Sequence, residues 1–228
     1  MKTTIVSLTV LLTGIYFGLS QGFANMDFEN PFLPLTPVDG QIPTSSAIPN
    51  WTAYYSDQIS GSYSPADIWY DSRSLGGAFI SLSDTNSNNS GPSPIAGSYS
   101  IFLQGSIAST PTAASIGQTG KIPISAQSMT FFADIFGDCQ ITFNGQIIPF
   151  STIGNGINYT FYGADISSYA GQAGQLLFTA LPGTSLSGGN LLLDNIQFSS
   201  SPIPEPSTLC VGTLGALLLG YRRLRRTR

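Results

Sequence analysis

Asn144-Gly145 is the step that most limits what this chain can fold into. It separates Ile141-Thr142-Phe143 from Gln146-Ile147-Ile148. Asn and Gly together accept the positive φ at both centres of a type I′ turn, so the two apolar runs fold back as an antiparallel hairpin. A lone hairpin is barely stable in water and needs further strands. The chain supplies them as short runs: Met26–Glu29, Trp51–Tyr55, Ile68–Tyr70, Ala78–Leu82, Ser98–Gln104, Ala114–Thr119, Met129–Ile135, Asn158–Tyr162, Gln175–Ala180 and Leu191–Phe198. Within Ser98–Gln104, Tyr99, Ile101 and Leu103 alternate onto one face. Asp165–Ala170 reads as a helical turn or tight corner ended by Gly171, and Leu33–Pro49 and Ser83–Pro94 read as irregular stretches. Ten or eleven short strands at this spacing predict an all-β chain, a two-sheet antiparallel β-sandwich or jelly roll.

Both termini are of a different kind. Met1–Ala24 has the form of a secretory signal peptide: Lys2, an apolar run from Ile5 to Leu19, and Gly22-Phe23-Ala24 with small residues at −3 and −1. Cleavage is expected after Ala24, the alternative being an uncleaved anchor. Residues 25–201 then form one domain, a length that suits a single sizeable core. From 202 onward come Pro204-Glu205-Pro206, an uncharged apolar segment from Leu209 to Tyr221, and Arg222, Arg223, Arg225, Arg226 and Arg228. The prolines fix φ and withhold donors, so the chain runs extended there. As a helix, Thr208–Tyr221 would be about 21 Å long, short of the roughly 30 Å hydrocarbon core, and would span it with thinning or snorkelling arginines. The arginines should stay cytoplasmic and stop transfer.

These tail residues resemble the PEP-CTERM sorting signal of bacterial envelope proteins. The resemblance covers about the last 25 residues and rests on three features in order: Pro204-Glu205-Pro206, the apolar segment and the arginine-rich end. It implies recognition by an exosortase, transient residence in the inner membrane of a Gram-negative cell, and delivery to the cell surface, outer envelope or exopolysaccharide matrix.

The charge of the exported domain excludes one large class of partner. Five of the eight basic residues are tail arginines and one is Lys2, so only Arg73 and Lys121 face eleven acids, about −9 in all. Nucleic-acid binding needs a basic footprint, and the domain has none. The chain has no histidine, which removes Ser-His and Cys-His nucleophiles and histidine-containing zinc sites. Paired carboxylates remain, Asp67/Asp71 and Asp134/Asp138, but in strands or loops a spacing of four does not bring two acids across a cleft. The chain is therefore expected not to be an enzyme. Cys139 and Cys210 fall in different compartments, so no structural disulfide is expected, and Cys139 reads as a small core residue.

The domain carries a second resemblance. Phe28-Glu29-Asn30-Pro31, Pro49-Asn50-Trp51, Asp165-Ile166-Ser167-Ser168-Tyr169-Ala170-Gly171-Gln172 before Leu176-Leu177-Phe178, and Leu193-Asp194-Asn195-Ile196 look like the galactose-binding-like jelly roll of carbohydrate-binding modules and cell-surface proteins. It implies two packed antiparallel sheets with the chain's first and last strands close together. It also implies a structural calcium tying those strands, with Glu29 and Asp194 at the matching positions and Asp27 assisting. The other reading has Glu29 capping a loop and Asp194 satisfying backbone donors at a strand bend. Among the aromatics concentrated in one segment, Trp51 reads as core, while Tyr54 and Trp69 are the candidates for a sugar platform. Two functions follow: a non-catalytic surface or exopolysaccharide-matrix protein, and a carbohydrate-binding module with a defined glycan site.

Overall fold

A computed structural model of the chain describes residues 22–33, 40–57, 61–86, 91–107, 111–183 and 188–203. Most of the signal peptide, and the tail from Pro204 through the arginines, lie outside the described residues. No helix among the described residues is long and apolar enough to cross a membrane.

The expected hairpin forms. Cys139–Phe143 (β9) and Gln146–Ile147 (β10) pair antiparallel about Asn144 and Gly145, whose φ values are 49° and 77°. Strand β9 then pairs with β13 (Ala173–Ala180), β13 with β7 (Thr112–Lys121), β7 with β2 (Thr52–Asp57) and β2 with β3 (Tyr63–Pro65). These make a six-stranded sheet. The second sheet has eight strands, in the order β1 (Gln41–Ile42), β4 (Ile68–Tyr70), β5 (Phe79–Asp84), β6 (Tyr99–Gln104), β14 (Asn190–Ser199), β8 (Ser128–Phe136), β12 (Thr160–Asp165) and β11 (Ser151–Asn155). A four-residue helix, α1 (Thr44–Ala47), and a 3-10 turn at Ser167–Tyr169 complete the described elements. The β-sandwich read from the sequence is thus the fold.

Period-two alternation builds the core. Ala53, Ile116, Ile141, Phe143 and Phe178 point inward from one sheet, and Leu82, Ile101, Leu103, Phe131 and Leu193 from the other. Phe178 sits at the centre, its ring 6.3 Å from Trp51 and 5.8 Å from Phe131 across the sheets. Trp51 is buried as expected, and its indole N–H donates to Asn25 O at 2.9 Å.

Four readings are corrected. Met26–Glu29 is not a strand: Asn25 and Phe28 both have positive φ, which breaks extension, although Met26 O still accepts from Ile196 N–H. Leu33–Pro49 holds β1 and α1. Strands β3 and β11 were not legible: β3 ends in a proline and is exposed throughout, and β11 carries Gly154 beside a bulge. Both are edge strands, where proline and glycine are tolerated. Finally, β4 and β5 pair in parallel, not antiparallel, and the connection between them includes Asp71 (φ 40°) and Gly76 (φ 129°).

Candidate functional site

A cleft lies on the outer face of the six-stranded sheet. The residues that face away from the core on β2, β3, β7, β9 and β13 line a groove of about 420 Å³. Tyr54 and Tyr63 stand at one side, edge to face at 6.3 Å. Ser115 and Thr179 share a hydrogen bond of 2.9 Å on the floor. Gln140, Thr142 and Gln175 supply amides and a hydroxyl, and Leu177 and Leu181 the apolar surface. Gly117 lets the Leu177 side chain lie flat against β7, since a Cβ there would come within 2.9 Å of Leu177 Cδ1. None of the described lining residues carries a charge. The hairpin closes the far side: Asn144 Oδ1 accepts from Gln175 N–H at 3.0 Å and fixes the turn against β13.

Tyr54 therefore lines this groove. Trp69 does not share it. It lies on the eight-stranded sheet, stacked on Phe79 at 5.5 Å, beside a separate apolar cluster of Phe79, Ile95, Phe102 and Leu192. The two candidates do not form one site.

Glu29 and Asp194 are brought together, at one end of the sandwich, around the loop before β6. Glu29 Oε1 accepts from Ser98 N–H at 2.8 Å and Tyr99 N–H at 3.0 Å. Asp194 Oδ2 accepts from Ala96 N–H at 3.0 Å and the Ser100 hydroxyl at 2.7 Å, while Oδ1 accepts from Asn195 N–H at 2.6 Å. Asp27 Oδ1 faces Glu29 N–H at 3.4 Å. Calcium takes six to eight oxygens, whereas Glu29 Oε1 and both Asp194 oxygens accept from N–H and O–H donors. Among the described residues no three acidic, cysteine or histidine side chains gather as a metal group. In this geometry Glu29 Oε1 and both Asp194 oxygens anchor the loop before β6, as in the second of the two readings. Burial pushes Asp194 up to about 6, the nearby Glu29 carboxylate adds to this, and the hydrogen bonds oppose it.

A smaller cleft of about 200 Å³ lies between Asp71, Asp84 and the loop Gly91–Pro94. Both acids are buried, Asp71 Oδ1 accepts from Asp84 N–H, and the Tyr70 hydroxyl donates to Asp84. Burial first, and then Asp84, raise the Tyr70 phenol well above its usual range. Cys139 donates to Asn190 O at 3.7 Å, and burial pushes its thiol up to about 12, with Asp138 adding to it, which disfavours the thiolate. Asp67, Asp134 and Asp138 are exposed and line neither cleft.

Sequence reasoning missed Tyr63, Gln140, Thr142 and Gln175. Their outward positions follow from alternation once the strands are known. Their adjacency does not, because it depends on the strand order β9-β13-β7-β2-β3.

No family model and no curated protein matches this chain. Among solved structures it is similar to the Stig cyclase Fisc from Fischerella sp. TAU, in complex with a pyrrolidinylidene-indole, at 17% identity and a TM-score of 0.43, over 81% of this chain and 98% of that one. It is also similar to the enzymatically active domain of tailspike protein 4 of bacteriophage CBA120, at 16% identity and a TM-score of 0.36, over 72% of this chain and 22% of that one. These likenesses concern the β-sandwich alone.

Proposed function

We propose that this is an exported, non-catalytic surface or matrix protein, delivered through its PEP-CTERM-like tail, whose sandwich holds an uncharged glycan in the groove of the six-stranded sheet. The observation that carries the reading is the groove's chemistry: two tyrosine rings, hydroxyls and amides, and no charge among the described lining residues. Sugar C–H faces stack on aromatic rings, and sugar hydroxyls exchange hydrogen bonds with amides and hydroxyls. A charged ligand would lose water there without gaining a counter-charge. The acidic domain further disfavours acidic polymers. The groove crosses five strands, about 19 Å at the usual strand spacing, which suits an extended chain. Glycoside hydrolysis needs two flanking carboxyls, and no described lining residue supplies one. The sandwich itself is read as a galactose-binding-like jelly roll, and the exosortase is the partner that its tail would meet.

On a glycan array the exported protein should give discrete, saturable signals with neutral polysaccharides. Tyr54→Ala, Tyr63→Ala and Gln175→Ala should each weaken binding about tenfold, the equivalent of 1.4 kcal/mol. Trp69→Ala should leave it unchanged. A blank array, or groove variants that bind like the parent, would remove the groove as a site. Delivery has its own test. In a host with an exosortase, Glu205→Ala should insert in the inner membrane but remain full length. Normal mature protein at the surface from that variant would show that the tail is not a sorting signal.

A further inference from the structure

Gly22, Phe23 and Ala24 were expected to end the leader, with the cut after Ala24, yet all three are built into the sandwich. Gly22 bridges Lys121 at the end of β7. Phe23 packs on Phe198 of β14, with ring centroids 5.4 Å apart. The same ring covers Gly120 so closely that a Cβ there would come within 2.9 Å of it. Ala24 is gripped at both polar atoms by one side chain: its N–H donates to Gln118 Oε1 at 2.6 Å, and its carbonyl accepts from Gln118 Nε2 at 2.9 Å. Gln118 is only 5% exposed. Strand β7 belongs to the six-stranded sheet and β14 to the eight-stranded one, so the segment straps the two sheets together.

Cutting after Ala24 would take both of these partners from the buried Gln118 amide and bare the backbone at Gly120. Leaving a buried donor and acceptor unpaired is the costly way to lose a hydrogen bond. The sequence holds a second place where a leader protease can act. Gly18 and Ser20 put small residues at −3 and −1 as well as Gly22 and Ala24 do, at the end of the apolar run from Ile5 to Leu19. We infer that the leader is removed between Ser20 and Gln21, and that Gly22–Ala24 stays with the mature protein as a strap across its two sheets. In that step water adds to the Ser20 carbonyl carbon and the Ser20–Gln21 C–N bond breaks. It leaves a carboxylate on Ser20 and an amine on Gln21.

The inference is independent of what the groove binds. Its test is the N-terminus of the exported full-length protein, read by intact mass and N-terminal sequencing. A start at Gln21, free or cyclised to pyroglutamate, is expected, and a start at Asn25 or at Met1 would overturn the inference. A pulse-chase gives a readout that does not require folding. Ser20→Leu should slow leader release, and Ala24→Leu should not; the reverse pattern would assign the cut to Ala24. Deleting Gln21–Ala24 from the full chain, which joins Ser20 to Asn25, should lower the melting temperature of the exported protein by about 5–10 °C. Unchanged melting would show that the segment is not a strap.

Discussion

Phe178→Ala is expected to destabilise the domain by about 3–5 kcal/mol, the range for deleting a buried ring from a core that relaxes only partly. Phe178 is fully buried on β13 and touches both Trp51 of its own side and Phe131 of the opposite sheet. Removing it opens a cavity where the two sheets meet, and the aromatic neighbours lose contact on one side. For a domain of this size, that corresponds to a fall in melting temperature of about 10 °C or more. Thermal or denaturant unfolding of the exported protein measures it. Tyr63→Ala, on an exposed edge strand, should stay within about 0.5 kcal/mol of the parent. A loss under about 1 kcal/mol for Phe178→Ala would mean that the sheets do not close over this ring, and the packing described above would be wrong.

Acidification from pH 7 to pH 5 should stabilise the domain. The group responsible is Asp194, 1% exposed on β14. Burial raises it to about 6 from an ordinary 3.8, and the Glu29 carboxylate adds to the rise. Between those two values the folded state holds a proton that the unfolded state has lost. Stability therefore rises as pH falls through 6 and levels off near 4. The gain is up to about 3 kcal/mol, at about 1.4 kcal/mol for each tenfold change in proton affinity. Asp165 works in the opposite direction, since the Ser167 N–H and hydroxyl hold it low, but it lies at the surface and its effect is small. Melting temperature against pH, for the parent and for Asp194→Asn, separates the groups. The parent profile should climb toward pH 5, and the variant profile should be flatter. Both should be the same in calcium and in chelator. A calcium-dependent rise in melting that disappears on acidification would assign Glu29 and Asp194 to a cation and end the loop-anchor assignment.

The path from residues to a site was uneven, and for definite reasons. Tyr54 was a candidate because, with Trp51 read as core, alternation along the strand turns it to the opposite face. Trp69 satisfied the same local rule, yet its outward face belongs to the other sheet. Nothing within Ile68-Trp69-Tyr70 says which sheet that will be. Glu29 and Asp194 were picked out together through a resemblance, and the fold does bring them to one loop. Whether their oxygens meet a cation or N–H donors depends on where the backbone of residues 96–100 points. That backbone is placed by contacts across the sandwich.

Taken alone, the sequence determined the features whose physics is local. Asn144-Gly145 sets a type I′ hairpin because those two residues tolerate positive φ. Alternating apolar residues set the strands and their inward faces. The absence of histidine and the scarcity of basic residues between the termini exclude whole classes of chemistry. Tertiary structure decided everything that depends on strand order. It assembled Tyr54, Tyr63, Gln140, Thr142 and Gln175 into one groove from four separate strands. It made β4 and β5 parallel, gave β3 and β11 their places as edges, and drew Gly22–Ala24 into the fold through the side chain of Gln118. Strand order is set by burying all the apolar faces at once, a property of the whole chain that no single stretch of it carries.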